Sequence, residues 1–181
     1  SRLVNDMLEL SRLQSGTASL QRSVFTPLPL LNIIHETYSA YAEDYQQTFI
    51  YDVPEFLPDV TGNPDRTQQV LIALLDNAFK YTPEGGTVTL SAAVEGDVVR
   101  ICVRDTGVGI SKEDLPHVFD RFYKVDKSHH GKGTGLGLAI AYEIMKHLGE
   151  EMSVTSELNQ GSCFTFTLHI AKSSGFPPKI A

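Results

Sequence analysis

Apolar residues recur at helical spacing from the start of the chain. Leu3, Val4, Met7, Leu8 and Leu10 within SRLVNDMLELSRLQSG predict a helix, with Gly16 as its stop signal. Nothing convincing caps its start, so it reads as the tail of a longer helix. A short extended run follows over Leu20 to Phe25. Leu30, Leu31, Ile34, Tyr38, Tyr41, Ala42 and Tyr45 then mark an amphipathic helix. Thr48 to Val53 reads as a strand, ended by Pro54 and Pro58. In TGNPDRTQQVL, Asn63 is placed to cap a helix with Pro64 at its first position. That helix is predicted to reach about Tyr81, with Val70, Leu71, Leu74, Leu75 and Ala78 as its apolar stripe and Pro83, Gly85 and Gly86 as its stop.

The period then changes. Thr87 to Val94 and Val98 to Asp105 alternate, and the turn at Glu95, Gly96 and Asp97 makes them a hairpin. A glycine-containing loop covers 106–109. Ser111 and Asp114 read as a capping pair for a very short helix. Residues 120–134 are polar and glycine-containing and read as mobile. A strongly apolar helix is predicted from Gly135 to Leu148, ended by Gly149. Two strands, 151–158 and 162–170, flank a turn at Asn159 to Gly161, and the tail AKSSGFPPKIA reads as disordered or a linker. This order predicts an α+β two-layer sandwich. Its mixed, mostly antiparallel sheet is covered on one face by helices and preceded by a short N-terminal helix. The other face is left to solvent or to another domain.

The 181 residues suit one domain of ordinary size. With 15 basic and 22 acidic residues the net charge is −7, which argues against nucleic acid or an anionic membrane as a bulk-charge partner. A polyanion therefore needs a local site. Cys102 and Cys163 each sit in an apolar, strand-like run and read as buried thiols in a reducing compartment. No CxxC pair or Cys/His cluster suggests zinc. No apolar run approaches the roughly 20 residues needed to span a bilayer, so an anchor would lie outside this chain.

Local patterns supply the chemistry. Asn77, Lys80 and Tyr81 share one stripe of the helix beside its apolar face, because i, i+3 and i+4 lie together. A carboxamide oxygen suits Mg²⁺, an ammonium suits phosphate, and a ring can flank a purine. In DTGVGI, Asp105 stands at a strand end where it can accept an exocyclic amine. Gly107 and Gly109 allow backbone to approach a ligand. In GKGTGLGLAI, glycines precede a helix whose free N–H groups attract phosphate. In FDRFYKVDKS, Phe119 and Phe122 are placed to anchor the polar loop in the core, with Arg121, Lys124, Lys127 and Lys132 as nearby cations. Each pattern taken alone also fits a plain reading: ordinary surface residues, a tight turn, a flexible hinge, a solvated loop.

Together, Asn-x-x-Lys-Tyr, DTGVGI, FDRFYK and GTGLGL form the N, G1, F and G2 box series in order. The chain resembles the histidine kinase branch of the Bergerat-fold ATP-binding superfamily over roughly residues 20 to 170. The opening helix resembles the end of the second helix of that family's dimerisation and phosphoacceptor hairpin. The resemblance implies a division into 1–16 (truncated hairpin helix), 17–171 (catalytic ATP-binding domain) and 172–181 (tail or linker). It implies that Asn77 coordinates Mg²⁺ bridging the ATP phosphates, that Lys80 contacts a phosphate, and that Tyr81 lies against the nucleotide. Asp105 would bond the adenine amine, and Gly107, Gly109 and Ile110 would shape that pocket. Residues 120–134 would be the ATP lid, with Lys124 facing the γ-phosphate. Gly133, Thr134, Gly135, Leu136, Gly137 and Leu138 would form the hinge and the phosphate-facing helix start. The implied catalytic groups are Asn77, Lys80 and Lys124, and the cofactors are ATP and Mg²⁺.

The chain departs from the pattern at two points. Many family members carry a second polar residue one turn before the metal asparagine, and the superfamily's ATP hydrolases place a catalytic glutamate there. Here it is Ala73, which cannot act as a base. That favours transfer to an acceptor activated elsewhere. The H-E-x-x-T-P-like acceptor motif is also absent. His35-Glu36-Thr37 matches it only in part, lacks the proline and reads as ordinary helix. His129 and His130 read as exposed loop residues. The expectation is a fragment of a sensor histidine kinase that binds ATP or ADP and acts on its own hairpin, with a cognate response regulator as partner. The full protein would be a homodimer, the fragment a monomer or weak dimer, and the domain a cytoplasmic part of a membrane-anchored bacterial sensor. The alternatives are a degenerate nucleotide-binding or interaction domain and a Bergerat-fold ATP hydrolase.

Overall fold

The structure is a computed structural model that describes residues 1–18, 20–123 and 134–172. In chain order it contains α1 (Arg2–Ser15), β1 (Ser23–Phe25), α2 (Pro27–Asp44), β2 (Thr48–Asp52), β3 (Val60–Gly62) and α3 (Pro64–Tyr81). These are followed by β4 (Thr87–Glu95), β5 (Val98–Asp105), a single 3-10 turn (Leu115–His117), α4 (Gly137–His147), β6 (Met152–Glu157) and β7 (Gly161–Ile170). The strands form one sheet in the order β1-β3-β7-β5-β4-β2, with β6 also pairing β7. Every pairing is antiparallel except β2 with β4, which is parallel.

Burial alternates strictly along β5. Val99, Ile101 and Val103 of β5 are buried, while Arg100, Cys102 and Arg104 are not. Leu71, Leu74 and Leu75 of α3, Ile144 of α4, and Phe164 and Phe166 of β7 are fully buried and belong to one core. Fully burying such a side chain is worth about 1.5–3 kcal/mol, so the helices are held on the apolar face. Thr and Ser on β4, β6 and β7 and Arg on β5 dominate the opposite face. This is the two-layer α+β arrangement expected.

α3 matches its predicted span because its start is built locally. The Asn63 side chain accepts from Arg66 N at 3.0 Å, and Pro64 occupies the first turn. The helix before β6 begins at Gly137 and not at Gly135, because Gly135 is left-handed at φ 75°. β3 was not expected. At three residues between Pro58 and Asn63-Pro64, it is too short for alternation to register, and it is defined by its partners β1 and β7.

Two expectations about α1 and the cysteines change. The Ser1 side chain accepts from Val4 N at 3.3 Å, so the start of α1 is capped. Of its predicted stripe, only Leu10 turns inward, joined by Leu13. Leu3, Val4, Met7 and Leu8 are about half exposed on the far side. Glu9 pairs with Arg66 and accepts from Gln69 Nε2 at 2.7 Å, which ties α1 to α3. Cys102 and Cys163 are joined as a disulfide between β5 and β7, not held as two buried thiols. They lie on the same open face two residues out of register, with Cα atoms 6.5 Å from each other, within the reach of a bridge. Of the stretch read as mobile, 124–133 lies outside the described residues, as does the tail from 173. Among the described residues no helix is long and apolar enough to cross a membrane.

Because Leu13 is fully buried in the common core, Leu13→Ala should destabilise the whole domain by about 2–4 kcal/mol. Urea unfolding followed by circular dichroism measures this. A loss below about 0.5 kcal/mol would mean that α1 only rides on the surface.

Candidate functional site

The site is built around the exposed edge of α3. Asn77, Lys80 and Tyr81 are each partly exposed, and the Lys80 ammonium stands 5.3 Å from the centre of the Tyr81 ring. The end of the helix is held from several sides. Thr82 Oγ1 donates to the Ala78 carbonyl at 2.6 Å, and Gln47 Nε2 donates to the Phe79 carbonyl at 3.0 Å and to the Thr82 carbonyl. Val108 N donates to the Tyr81 carbonyl at 3.2 Å. A Cβ on Gly107 would stand 2.3 Å from that same carbonyl oxygen, so only glycine fits there. The glycines of DTGVGI were expected to let backbone approach a ligand. Gly107 lets the loop close on the end of α3, and Gly109, which also lines a cavity, closes on the Glu157 carbonyl at the end of β6.

Asp105, the last residue of β5, is 4% exposed. Its Oδ1 accepts from Gly107 N at 2.8 Å and from Ser162 N at 3.3 Å. Burial pushes its pKa above the ordinary carboxylate value, and the two backbone bonds oppose that rise without cancelling it. Asp105, Tyr81, Gly109, Ile110 and Phe164 line a small cavity of about 40 Å³. Asn77, Tyr81, Tyr123 and Leu138 belong to its wall and also to that of a larger cavity of about 250 Å³. Lys80, Ala73, Thr134, Gly135 and Gly137 line only the larger one. The two cavities therefore adjoin, with the buried carboxylate in the small one, the ammonium in the larger one and the Asn77 amide on the wall they share.

The first turn of α4 borders the larger cavity. Among the described residues no side chain caps it by hydrogen bonding, and a Cβ on Gly137 would meet nothing within 4 Å. Open N–H groups at a helix start facing a cavity suit an anion. Leu136 is fully buried and anchors this start. Lys124 and Gly133 lie outside the described residues, as do His129 and His130. Phe119 anchors its segment as expected, stacking on Tyr142 at 4.8 Å and meeting Phe164 edge-on at 6.2 Å. Phe122 does not. It is 51% exposed in left-handed backbone at φ 61°, and its N–H donates to the Gly135 carbonyl at 2.9 Å. His35 stacks flat on Tyr51 of β2 at 4.2 Å, a packing role.

Sequence reasoning missed Arg2, Asp6, Tyr123 and Asp76 as wall residues. Tyr123 follows Phe122 within FDRFYK and was within reach of a motif argument. Nothing in the sequence pointed to Arg2 or Asp6. Among the described residues no group of three or more His, Cys, Asp or Glu is placed to hold a metal ion. A cation here would take oxygen from Asn77, with Gln69 and Asp76 on the same wall.

Residues 62–172 match the family described as histidine kinase-, DNA gyrase B-, and HSP90-like ATPase. The chain belongs to that family. Curated ATPase-family relatives include the sensor histidine kinase WalK of Bacillus subtilis, 40% identical over 171 residues, covering 92% of this chain and 28% of WalK. The adaptive-response sensory kinase SasA of Synechococcus elongatus is 37% identical over 175 residues, covering 93% of this chain and 44% of SasA. This ATPase-family chain thus spans well under half the length of these relatives. Its fold matches full-length ShkA in complex with AMPPNP at a TM-score of 0.81 and 32% identity, over 95% of this chain and 36% of ShkA. It also matches the histidine kinase AdeS of Acinetobacter baumannii at a TM-score of 0.75 and 24% identity, over 93% of this chain and 77% of AdeS, which shows a shared fold.

Both backbone donors end on Oδ1 of Asp105, so Asp105→Asn should keep its amide oxygen there and present an NH₂ to the pocket. A donor would then stand where the carboxylate offers an acceptor, and affinity for ATP should fall at least about tenfold. The sign for stability is opposite. A carboxyl whose folded pKa is raised favours the fold when protonated, and that contribution is lost as pH rises through the folded pKa. At neutral pH the variant should melt no lower than the parent. Calorimetric titration with ATP and thermal melts at pH 7 test both halves. Unchanged affinity would remove Asp105 from the site.

Proposed function

We propose that the chain is the ATP-binding catalytic domain of a two-component sensor histidine kinase, transferring the γ-phosphoryl group of ATP to a histidine on a hairpin outside this chain. The observation that carries this reading is a pair of adjoining cavities that share Asn77 and Tyr81, one lined by Asp105 and the other by Lys80. Adenine, which offers an exocyclic amine, fits the cavity with the buried acceptor. The triphosphate fits the one with an ammonium and the open start of α4. The names of the relatives, all sensor kinases, point the same way.

Under this reading Asp105 selects the base, Tyr81 flanks the nucleotide, and Gly107, Gly109 and Ile110 hold that end in shape. Lys80 neutralises phosphate charge, and Lys124 adds a second cation at the γ-phosphate. Gly133, Thr134, Gly135, Leu136, Gly137 and Leu138 form the hinge and the start of α4. Mg²⁺ would be held through Asn77, whose lone amide fits an ion that keeps most of its oxygen ligands from water and phosphates. When bound, it would offset charge on the phosphoryl group being transferred. Transfer of this kind depends mainly on positioning and charge neutralisation, which these residues supply.

Ala73 argues against hydrolysis. It lines the wide cavity one turn before Asn77, so a methyl group stands where a general base would be needed. The carboxylates nearest by are engaged: Asp76 accepts from Tyr38 Oη at 2.6 Å and Asp6 from Thr134 Oγ1 at 2.7 Å. The same alanine is the one feature that favours a degenerate, non-transferring domain. The exposed Leu3, Val4, Met7 and Leu8 of α1 would pack against the rest of the hairpin, in a cytoplasmic region of a dimeric sensor that serves a response regulator.

Supplied with γ-labelled ATP and Mg²⁺, this chain should not label itself but should label a separately added acceptor hairpin from the full-length protein. Asn77→Ala should reduce that labelling at least about 100-fold. Self-labelling would contradict the missing acceptor. Nucleotide binding without hairpin labelling would favour the degenerate domain, and steady release of free phosphate the hydrolase.

A further inference from the structure

α1 reaches the nucleotide cavity as well as the core. Arg2 and Asp6 both line the larger cavity. Asp6 Oδ2 accepts from Thr134 Oγ1 at 2.7 Å, and the same hydroxyl oxygen accepts from Leu136 N at 3.4 Å. The Asp6 bond therefore ends on the segment that leads into α4. That segment contains Gly135, left-handed at φ 75°, and continues into Gly137 and Leu138 in the cavity wall. Three residues further along α1, Glu9 holds Arg66 and Gln69 of α3, and Leu10 and Leu13 are buried beyond it. Asp6, Glu9, Leu10 and Leu13 follow helical spacing along one side of α1. That side bridges α3, which carries Asn77 and Lys80, and the entry to α4.

We propose that Asp6 is a positioning residue. By holding the Thr134 hydroxyl it fixes the Thr134–Leu136 entry to α4 while α1 is docked, so the docking of α1 sets how long a nucleotide stays bound. The inference rests on the nucleotide reading above. Asp6 does not select the nucleotide and needs no contact with it. Its oxygen replaces a freely rotating hydroxyl by an anchored one, next to a glycine whose backbone is otherwise easy to move. A carboxylate beside a polyphosphate also repels it, so bond and charge predict opposite outcomes when each is removed alone.

Stopped-flow displacement of a fluorescent ADP analogue, with Mg²⁺, from the full 181-residue chain separates the two. Asp6→Ala should raise the dissociation rate about fivefold, the scale of one hydrogen bond (~1 kcal/mol at 1.4 kcal/mol per decade). Thr134→Val should do the same, and the double variant should be no faster than either single one. Asp6→Asn keeps an acceptor oxygen for Thr134 and should stay within about twofold of the parent. Thermal melts of each variant report whether the fold is intact. Should Asp6→Ala unfold the chain, Asp6→Asn and Thr134→Val still decide. The proposal fails if Asp6→Ala releases nucleotide at the parental rate, if the two single effects multiply, or if Asp6→Asn slows release as a charge effect would. A parent chain that does not bind the analogue at all overturns the nucleotide reading itself and this inference with it.

Discussion

The close approach of the β5 exit loop to the end of α3 sets the geometry of everything else in the site. The Tyr81 carbonyl receives the Val108 N–H, and Gly107 sits so near it that no side chain fits between. That contact places the last residue of a strand beside the last turn of a helix. It thereby brings a buried carboxylate to the wall of a small cavity that shares Asn77 and Tyr81 with the larger one lined by Lys80.

The same arrangement explains how a chain of net charge −7 can offer a site to a polyanion. Bulk charge is unfavourable, so attraction must be local. Under the proposed reading it comes from the Lys80 ammonium and from the N–H groups at the start of α4. Asp105 works in the other direction. It is buried at a cost in desolvation that its two backbone donors only partly offset. A group kept ionisable against burial in a cavity is characteristic of a site shaped for a ligand more than for stability.

α1 joins this site to an exposed apolar surface. One side of the helix shares the domain core through Leu10 and Leu13 and touches the cavity through Asp6, while the other exposes Leu3, Val4, Met7 and Leu8. The relatives are two to four times longer than the part this chain matches. A helix that is apolar and exposed on one side and bonded to the cavity wall on the other is suited to carry a displacement between the two.

Much of the fold and the site was legible in the residues alone, because the signals involved are short in range. Asn63-Pro64 and Pro83 bound α3, Gly96 and Asp97 turn the β4–β5 hairpin, and the stripe of Asn77, Lys80 and Tyr81 follows from helical spacing. Each of these depends on a few neighbouring residues, so the sequence by itself determined them. What only the tertiary structure decided involves partners far apart in the chain. The parallel pairing of β2 with β4, the existence of β3, the bridge between Cys102 and Cys163, and the bond from Asp6 to Thr134 leave no periodic trace. The outward turn of Phe122 and the reason Gly107 must be glycine are of the same kind, since both depend on what packs against them. Local propensity carries no information about which distant surface arrives at a given residue, and at these positions the arriving surface decides the conformation.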